Sequence, residues 1–243
     1  MVNYIIEIAT TDFTTTKSAV EGGADRIELC AALSDGGTTP SYGTIKKCRE
    51  AFPVPIFPII RPRGGDFLYS DEEFELMMAD VAICKELMCE GVVTGLLLPD
   101  GNIDIPRTAT LVAAAYPLEV TFHRAFDRCA DPFAALEDLI EIGCQRILTS
   151  GQKPSAPEGM ELIEALVQQA ADRIIIMPGS GVRKENIRKL RDGTGATEFH
   201  SSLRGASASS MSFIHPAFTR EDSYLNPGIA PEEVKALRDA LRS

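Results

Sequence analysis

Strand-like and helix-like segments alternate eight times along this chain, and this alternation constrains the fold more than any other feature. Each strand-like run is followed by a segment long enough for a helix, as a crossover between parallel strands requires. The eight runs are Tyr4–Thr10, Arg26–Ala31, Pro55–Arg63, Gly91–Leu98, Leu118–Arg124, Arg146–Gly151, Ile174–Ser180 and Glu198–Ser202. Eight such units predict an α/β fold, the TIM (β/α)8 barrel.

Length and charge narrow the possible functions. The chain has 243 residues, close to the ~250 typical of this barrel, so we expect residues 1–243 to form one domain. With 24 basic and 35 acidic residues, the formal net charge is −11. This acidity argues against nucleic acid and anionic membranes as partners.

Neither the N-terminus nor the cysteines indicate secretion. No apolar run reaches the ~20 residues of a membrane span, and the first ten residues read as a strand carrying Glu7 rather than as a signal peptide. The six cysteines have neither CxxC nor disulfide-type spacing. We therefore expect a cytoplasmic protein with reduced thiols.

One connection is much longer than the others. Residues 203–226 separate the eighth strand from the last helix and include Met211, Phe213 and Ile214. Loops of this length are usually functional or disordered. We expect this one to be a lid over the barrel mouth or a contact between subunits.

Ionisable side chains fall on the strand faces that are predicted to point into the barrel. Strand side chains alternate between two faces, and the apolar members of each run are expected to face the helices. The inward set is Glu7, Arg26, Glu28, Cys30, Arg61, Arg63, His123, Glu198, His200 and Ser202. Barrel interiors are normally apolar, so these groups must pair with one another or face a wet pocket.

Two interpretations of this set remain open, and both can hold at once. One is a buried ion network in which Glu7 and Glu28 face Arg26, Arg61 and Arg63. The other is a binding site for a small anionic ligand at the carboxyl ends of the strands, where barrel active sites lie.

The site interpretation assigns roles to particular residues. In the motif Arg61-Pro62-Arg63-Gly64-Gly65, the two arginines would hold a carboxylate or phosphate. His123 would be the general acid or base, oriented by Glu7 or Glu28. These three residues, His123, Glu28 and Glu7, are therefore the candidate catalytic residues.

The ends of strands six to eight would complete the site. Gly179-Ser180-Gly181 precedes a predicted helix at Lys184–Arg191, and backbone N–H groups in such a place bind anions. His200 and Ser201 end strand eight beside them. The candidate ligand-binding residues are Arg26, Arg61, Arg63, Arg124, Ser150, Gly179, Gly181, His200 and Ser201.

Soft ligands for Cu(I) are sparse in this chain. Cys30, Cys129 and Met177 could approach one another across the barrel mouth, but no CxxC, MxxM or His-rich run supports a site. Cys84 and Cys89 are five residues apart and are not expected to share a helix face. Spacing alone therefore does not favour copper.

Six blocks of sequence, spread from the second strand to the eighth, are specific enough to indicate a family. They are GADRIELC at 23–30, DGGTTPS at 35–41, IRPRGGDFLYSD at 60–71, VTFHRAFD at 120–127, LTSG at 148–151 and ATEFHSS at 196–202. These blocks resemble the CutC family, which is named for copper homeostasis.

The resemblance implies a cytoplasmic TIM barrel that forms a homo-oligomer, a homodimer or homotetramer, and that handles copper. Cys30 lies in a matched block, so the resemblance implies Cys30 as a ligand of Cu(I). The first hypothesis is thus a copper homeostasis protein that binds a copper ion. The second is an enzyme or sensor for a small anionic metabolite, and the third is a barrel that serves only as an interaction scaffold.

Overall fold

Strands and helices alternate through the whole described chain, which comprises residues 3–217 and 224–243 of a computed structural model. The strands of the barrel are β1 (Ile5–Thr10), β2 (Arg26–Leu29), β3 (Ile56–Pro58), β4 (Gly91–Thr94), β5 (Glu119–Phe122), β6 (Arg146–Thr149), β7 (Ile175–Pro178) and β8 (Glu198–Ser201). The helices are α1 (Phe13–Glu21), α2 (Tyr42–Ala51), α3 (Asp71–Glu86), α4 (Ile105–Ala115), α5 (Pro132–Ile142), α6 (Met160–Ala170), α7 (Ile187–Thr194) and α8 (Pro231–Arg242).

Neighbouring strands are parallel and follow the order of a TIM barrel. One sheet has the order β3-β2-β1-β8 and the other β4-β5-β6-β7. A parallel bridge between Ile59 and Val93 joins β3 to β4, and β7 lies beside β8. The TIM-barrel prediction is confirmed. Because all eight strands run the same way, their carboxyl ends meet at one rim.

The two faces of the first strands separate as the alternation predicts. Ile8, Ile27 and Leu29 belong to the large apolar core that packs under the helices. Cys30 and Phe57 belong instead to a small cluster that also contains Ile59 and Val93. The barrel interior therefore has a short apolar layer beside its buried charged groups.

Local signals explain where several helices begin. Ser70 caps α3 in a capping box with Glu73, and Asp131 caps α5 ahead of Pro132. Helix α7 starts at Ile187, three residues later than predicted. A turn precedes it, in which the Arg183 N–H donates to the Asn186 side chain.

The long connection contains structure that the sequence did not predict. Strands β9 (Gly205–Ala208) and β10 (Leu225–Gly228) pair in antiparallel register and form an arm, while residues 218–223 lie outside the described residues. Met211, Phe213 and Ile214 are exposed on this arm. Its role as lid or subunit contact stays a prediction. Within the described ranges, no helix has the length and apolar character that crossing a bilayer requires.

Candidate functional site

A cavity of about 200 Å³ lies at the carboxyl ends of the strands, and we call it the mouth cavity. Its polar lining residues are Glu28, His123, Arg124, Ser180, Arg183, His200, Ser201, Ser202 and Arg204. Ionisable groups from strands two, five and eight thus meet in one place.

Glu7 lies beneath the mouth cavity and fixes the orientation of His200. The register of β1 against β8 places Glu7 directly beside His200. One Glu7 oxygen accepts a hydrogen bond from Arg26 Nε at 2.5 Å, and the other lies 2.8 Å from His200 Nδ1. Burial alone would raise the pKa of Glu7, but the charge of Arg26 and the bond to His200 outweigh it and lower that pKa to about 2. Glu7 is therefore ionised, and His200 Nδ1 is the donor.

His200 Nε2 points toward Glu28, at 3.8 Å from the Glu28 carboxylate. Burial opposes the charge on His200, but Glu28 and Glu7 outweigh it, so the pKa of His200 is raised. Burial also raises the pKa of Glu28. Both groups therefore hold a proton more readily than in water, as acid–base residues of a cavity can.

His123 is also buried, but its protonation state differs from that of His200. Burial and the nearby charge of Arg61 lower its pKa to about 3, so the ring is neutral. Its Nδ1 accepts from the Ala125 N–H at 3.2 Å, and the ring packs on Phe67. The proton is therefore on Nε2, which has no hydrogen-bond partner among the described residues. Glu7 pairs with His200 and therefore does not orient His123, and among the described residues Glu28 makes no hydrogen bond to His123.

A buried ion network lies further down the barrel; it contains the predicted pair of Glu7 and Arg26, but its other members were not predicted. Glu198 accepts from both Arg26 and Arg146 at 2.6 Å, and Arg146 also bonds Glu119 at 3.1 Å. Arg26 is thus held between Glu7 and Glu198 and does not line the mouth cavity. Its predicted contact with a ligand is not supported.

Arg61 and Arg63 do not form the predicted anion clamp. Arg61 donates to three backbone carbonyls, those of Asp35, Gly37 and Gly65, and braces the neighbouring loops. Arg63 points away and pairs with Glu73 at 2.6 Å. The clamp prediction is wrong because carbonyl oxygens engage the Arg61 guanidinium, and because beyond the end of β3 at Pro58 Arg63 turns outward to Glu73.

Asp127 organises the rim after β5 and β6. It accepts from the Thr149 hydroxyl, from the Ser150 amide and hydroxyl, and from Arg124 Nε at 2.8 Å. Ser150 is consequently buried in this network and does not line the mouth cavity, contrary to its predicted role. Arg124 does reach the cavity. Asp127 was missed, although it ends the block VTFHRAFD.

The glycine segment after β7 contributes in two ways. The Gly179 N–H donates to the Thr149 carbonyl, so it is not available to a ligand. Instead, a side chain at Gly179 would collide with Leu148 and press on His200. Ser180 and Gly181 have left-handed backbones and line the cavity, and their amides have no acceptor within the described chain.

Two arginines at the same rim were not identified from the sequence. Arg183 donates to the Val182 carbonyl and to the Ser201 hydroxyl, and Arg204 donates to the Leu33 carbonyl at 3.2 Å. Neither has a carboxylate within 4.0 Å in the part of the chain that the structure describes. Arg183 lies two residues after Gly179-Ser180-Gly181, and Arg204 lies two residues after the block ATEFHSS. This proximity is the sequence signal that could have indicated them.

The sulfur atoms do not assemble at the mouth. Cys30 is buried, its thiol donates to Glu28 at 3.4 Å, and burial raises its pKa well above the usual value. Met177 accepts from Arg26 and Cys129 from Gln152, so these two are engaged separately. The described ranges contain no cluster of three or more His, Cys, Asp or Glu residues suited to a metal ion.

Cys84 and Cys89 are closer than expected. Because α3 ends at Glu86, Cys89 folds back, and its N–H donates to the Cys84 carbonyl at 3.0 Å. The interaction between the two thiols raises the pKa of Cys84 and lowers that of Cys89. This thiol pair lies under the helices and not in the mouth cavity.

Comparisons with known proteins agree with the sequence blocks. The model of the CutC family matches residues 4–205. A family protein CutC of Chromobacterium violaceum is 47% identical over 98% of both chains. The human copper homeostasis protein cutC homolog is 48% identical over 86% of this chain and 77% of its own. The crystal structure of a CutC protein from Streptococcus agalactiae is 33% identical, with a TM-score of 0.79 over 82% of this chain and 98% of its own. This chain therefore belongs to the CutC family.

Proposed function

We propose that the mouth cavity binds a small anionic metabolite, a carboxylate or a phosphate, and that the protein transfers a proton on it. One observation carries this proposal: an ionised glutamate that is locked by an arginine orients His200 toward a cavity that also holds Glu28 and the neutral His123. A carboxylate that fixes one nitrogen of a histidine leaves the other for acid–base chemistry.

Each group then has a defined role. His200 Nε2 accepts or donates the proton, and Glu28, 3.8 Å away, is the second acid–base group. His123 Nε2–H is a fixed donor that stabilises negative charge as it develops on the ligand. Arg183 and Arg204 hold the anionic group, with the amides of Ser180 and Gly181.

Anion binding is tested by thermal unfolding with a panel of phosphorylated and carboxylated metabolites. A ligand at ~100 times its Kd stabilises the folded state by about 2.7 kcal/mol, which raises Tm by about 5–10 °C for a domain of this size. Replacing Arg183 by glutamine should weaken binding about tenfold, because one charge-assisted hydrogen bond is lost. The control is Arg188→Gln, an exposed arginine of α7 that does not line the cavity.

A hydrogen-exchange experiment with the same ligand distinguishes an enzyme from a sensor. In heavy water, the parent protein should exchange a carbon-bound hydrogen of the ligand, and His200→Asn should bind the ligand without exchange. Equal exchange by both proteins would contradict the role of His200. The absence of any stabilising anion would contradict the proposal itself.

The names of the relatives favour a second candidate, the binding or handling of Cu(I) in copper homeostasis. Cys30 is the cysteine that lies in the barrel interior, next to Glu28. Copper would have to displace the thiol proton, because the thiolate is the form that binds metals. Glu28 is placed to accept that proton. A single sulfur is a sparse ligand set, so the anion proposal ranks first.

Copper binding is tested by titration with Cu(I) against a competing chelator. If Cys30 is the ligand, the parent binds one ion per chain and Cys30→Ser loses it, while Cys48→Ser, another buried cysteine, retains it. If Cys84→Ser loses Cu(I) binding and Cys30→Ser retains it, the thiol pair of Cys84 and Cys89 is the binding site instead. Binding unchanged in all three variants would exclude these cysteines as ligands.

We also propose that the protein acts in the cytosol as a homodimer or homotetramer, with residues 203–226 as the subunit contact or as a lid. The exposed Met211, Phe213 and Ile214 of the arm support this, since exposed apolar groups of this size favour association. Analytical ultracentrifugation should give a mass that is a multiple of 26.3 kDa, falling toward one chain in Phe213→Ser. A single-chain mass at every concentration would contradict the proposal.

A further inference from the structure

We infer that the ligand has two parts, an anionic group in the mouth cavity and an apolar body in an adjoining cavity under the arm. This inference rests on the proposed function and names the class of ligand more narrowly, as an amphipathic anion. The observation behind it is that two cavities of different chemistry share a wall.

The second cavity, which we call the arm cavity, has a volume of about 370 Å³. It lies between the loops after β1 and β2 and the start and end of the arm. Its lining residues are Ala9, Thr10, Thr11, Thr15, Ala32, Leu33, Ser34, Ser202, Arg204, Gly205, Pro227, Gly228 and Ile229. None of these described residues carries a carboxylate, and Arg204, at the shared wall, is the one ionisable residue among them.

The two cavities share part of their lining. Leu33, Ser202 and Arg204 line both sides of this shared wall. The hydrogen bond from Arg204 Nη1 to the Leu33 carbonyl crosses from the loop after β8 to the loop after β2. If a ligand binds the guanidinium of Arg204, this hydrogen bond to Leu33 is broken and the two cavities become continuous.

Two residues with left-handed backbones flank the same wall. Ala32 has φ of 44° and Leu203 has φ of 42°, both in the left-handed region that residues with a Cβ rarely adopt. These two residues directly precede Leu33 and Arg204. Strained residues of this kind cluster at ligand-binding segments, where the fold holds them in place.

Size and charge both favour a ligand that spans the wall. At about 200 Å³, the mouth cavity is smaller than the roughly 300–1,000 Å³ typical of small-molecule sites, and it has the arginines and the acid–base groups. The arm cavity has the larger volume and mainly methyl and hydroxyl groups. The charged group of the ligand would therefore lie in the mouth cavity, and its ring or short chain in the arm cavity.

The test is a matched series of phosphate monoesters: methyl, phenyl and 1-naphthyl phosphate, with phenol as the probe that lacks the anion. Calorimetry measures Kd for the parent, for Ser34→Trp, which fills the arm cavity from its exposed edge, and for Ser210→Trp as control. Ser210 is exposed on the arm and lines neither cavity. The three carboxylates acetate, benzoate and 1-naphthoate repeat the series for the other anion.

In the parent and in Ser210→Trp, phenyl phosphate should bind at least about tenfold tighter than methyl phosphate, because each buried methylene contributes about fourfold. In Ser34→Trp this gain should fall below about twofold, while methyl phosphate binds as before. Phenol should not bind.

Two results would overturn the inference and leave the proposed function intact: equal affinity for methyl and phenyl phosphate in the parent, or a full gain in Ser34→Trp. If no phosphate and no carboxylate binds the parent, both the inference and the proposed function fail. Tighter binding in the carboxylate series alone supports the inference with a carboxylate as the anionic group.

Discussion

Replacing Glu198 by glutamine is expected to lower the free energy of unfolding by about 3–5 kcal/mol. Glu198 is buried, and it accepts hydrogen bonds from Arg26 and Arg146, both also buried. Glutamine keeps the size of the side chain but removes its charge. Two positively charged guanidinium groups would then remain in the barrel interior. Only Glu7 and Glu119 would still balance their charge.

Urea unfolding of the two proteins at one pH measures this difference. The matched control is Glu137→Gln, which breaks the Arg173–Glu137 pair on the protein surface. Exposed ion pairs contribute little, so the control should unfold at nearly the same urea concentration as the parent. Similar losses in both variants would mean that the interior network does not stabilise the barrel.

Acidification is expected to destabilise the parent through His123. Its pKa is about 3 in the folded protein and 6.5 in the ordinary case. Between these values the unfolded chain binds a proton at this residue and the folded chain does not, so stability falls as the pH falls through this window. At about pH 4.5 the loss from this residue alone should be about 2–3 kcal/mol.

Other groups contribute to the same pH profile, so a variant is needed to isolate His123. Glu7, with its lowered pKa, adds a loss in the same direction below about pH 4.5. The raised pKa of His200 acts oppositely: its contribution is present below the ordinary value and is lost as the pH rises through the folded value. The contributions of Glu7 and His200 to the pH profile both remain when His123 is replaced by phenylalanine.

The measurement is the free energy of unfolding of the parent and of His123→Phe at about pH 7.5 and about pH 4.5. The loss between the two values should be about 2–3 kcal/mol smaller in the variant. Phe67→Leu, which alters the ring contact to His123 without removing a titratable group, should lower stability equally at both values. Identical profiles for parent and His123→Phe would show that burial does not hold the ring neutral.

The fold and the charged interior could be predicted because they depend on local pattern. Alternation of strand and helix runs indicates the barrel, and alternation within β1 and β2 correctly placed Glu7, Arg26 and Glu28 inside. The same rule placed Arg61 inside but failed for Arg63, because β3 ends at Pro58, earlier than its apolar run, and the chain after it has no fixed alternation.

The partners of each group could not be predicted, because they depend on strand register and loop shape. The pairing of Glu7 with His200 follows from the β1–β8 register, which no local pattern in the sequence encodes. The role of Asp127 depends on a loop that turns back to meet the end of β6. Arg183 and Arg204 required the geometry of two loops at once.

The contact between Glu7 and His200 joins positions 193 residues apart, in the first and the last strand of the barrel. During synthesis the ribosome must release the chain through β8 before this carboxylate can meet its imidazole. A product that stops before β8 would therefore leave Glu7 without that partner, however well its first strands had formed. Synthesis of β8 is therefore required before this pair can assemble.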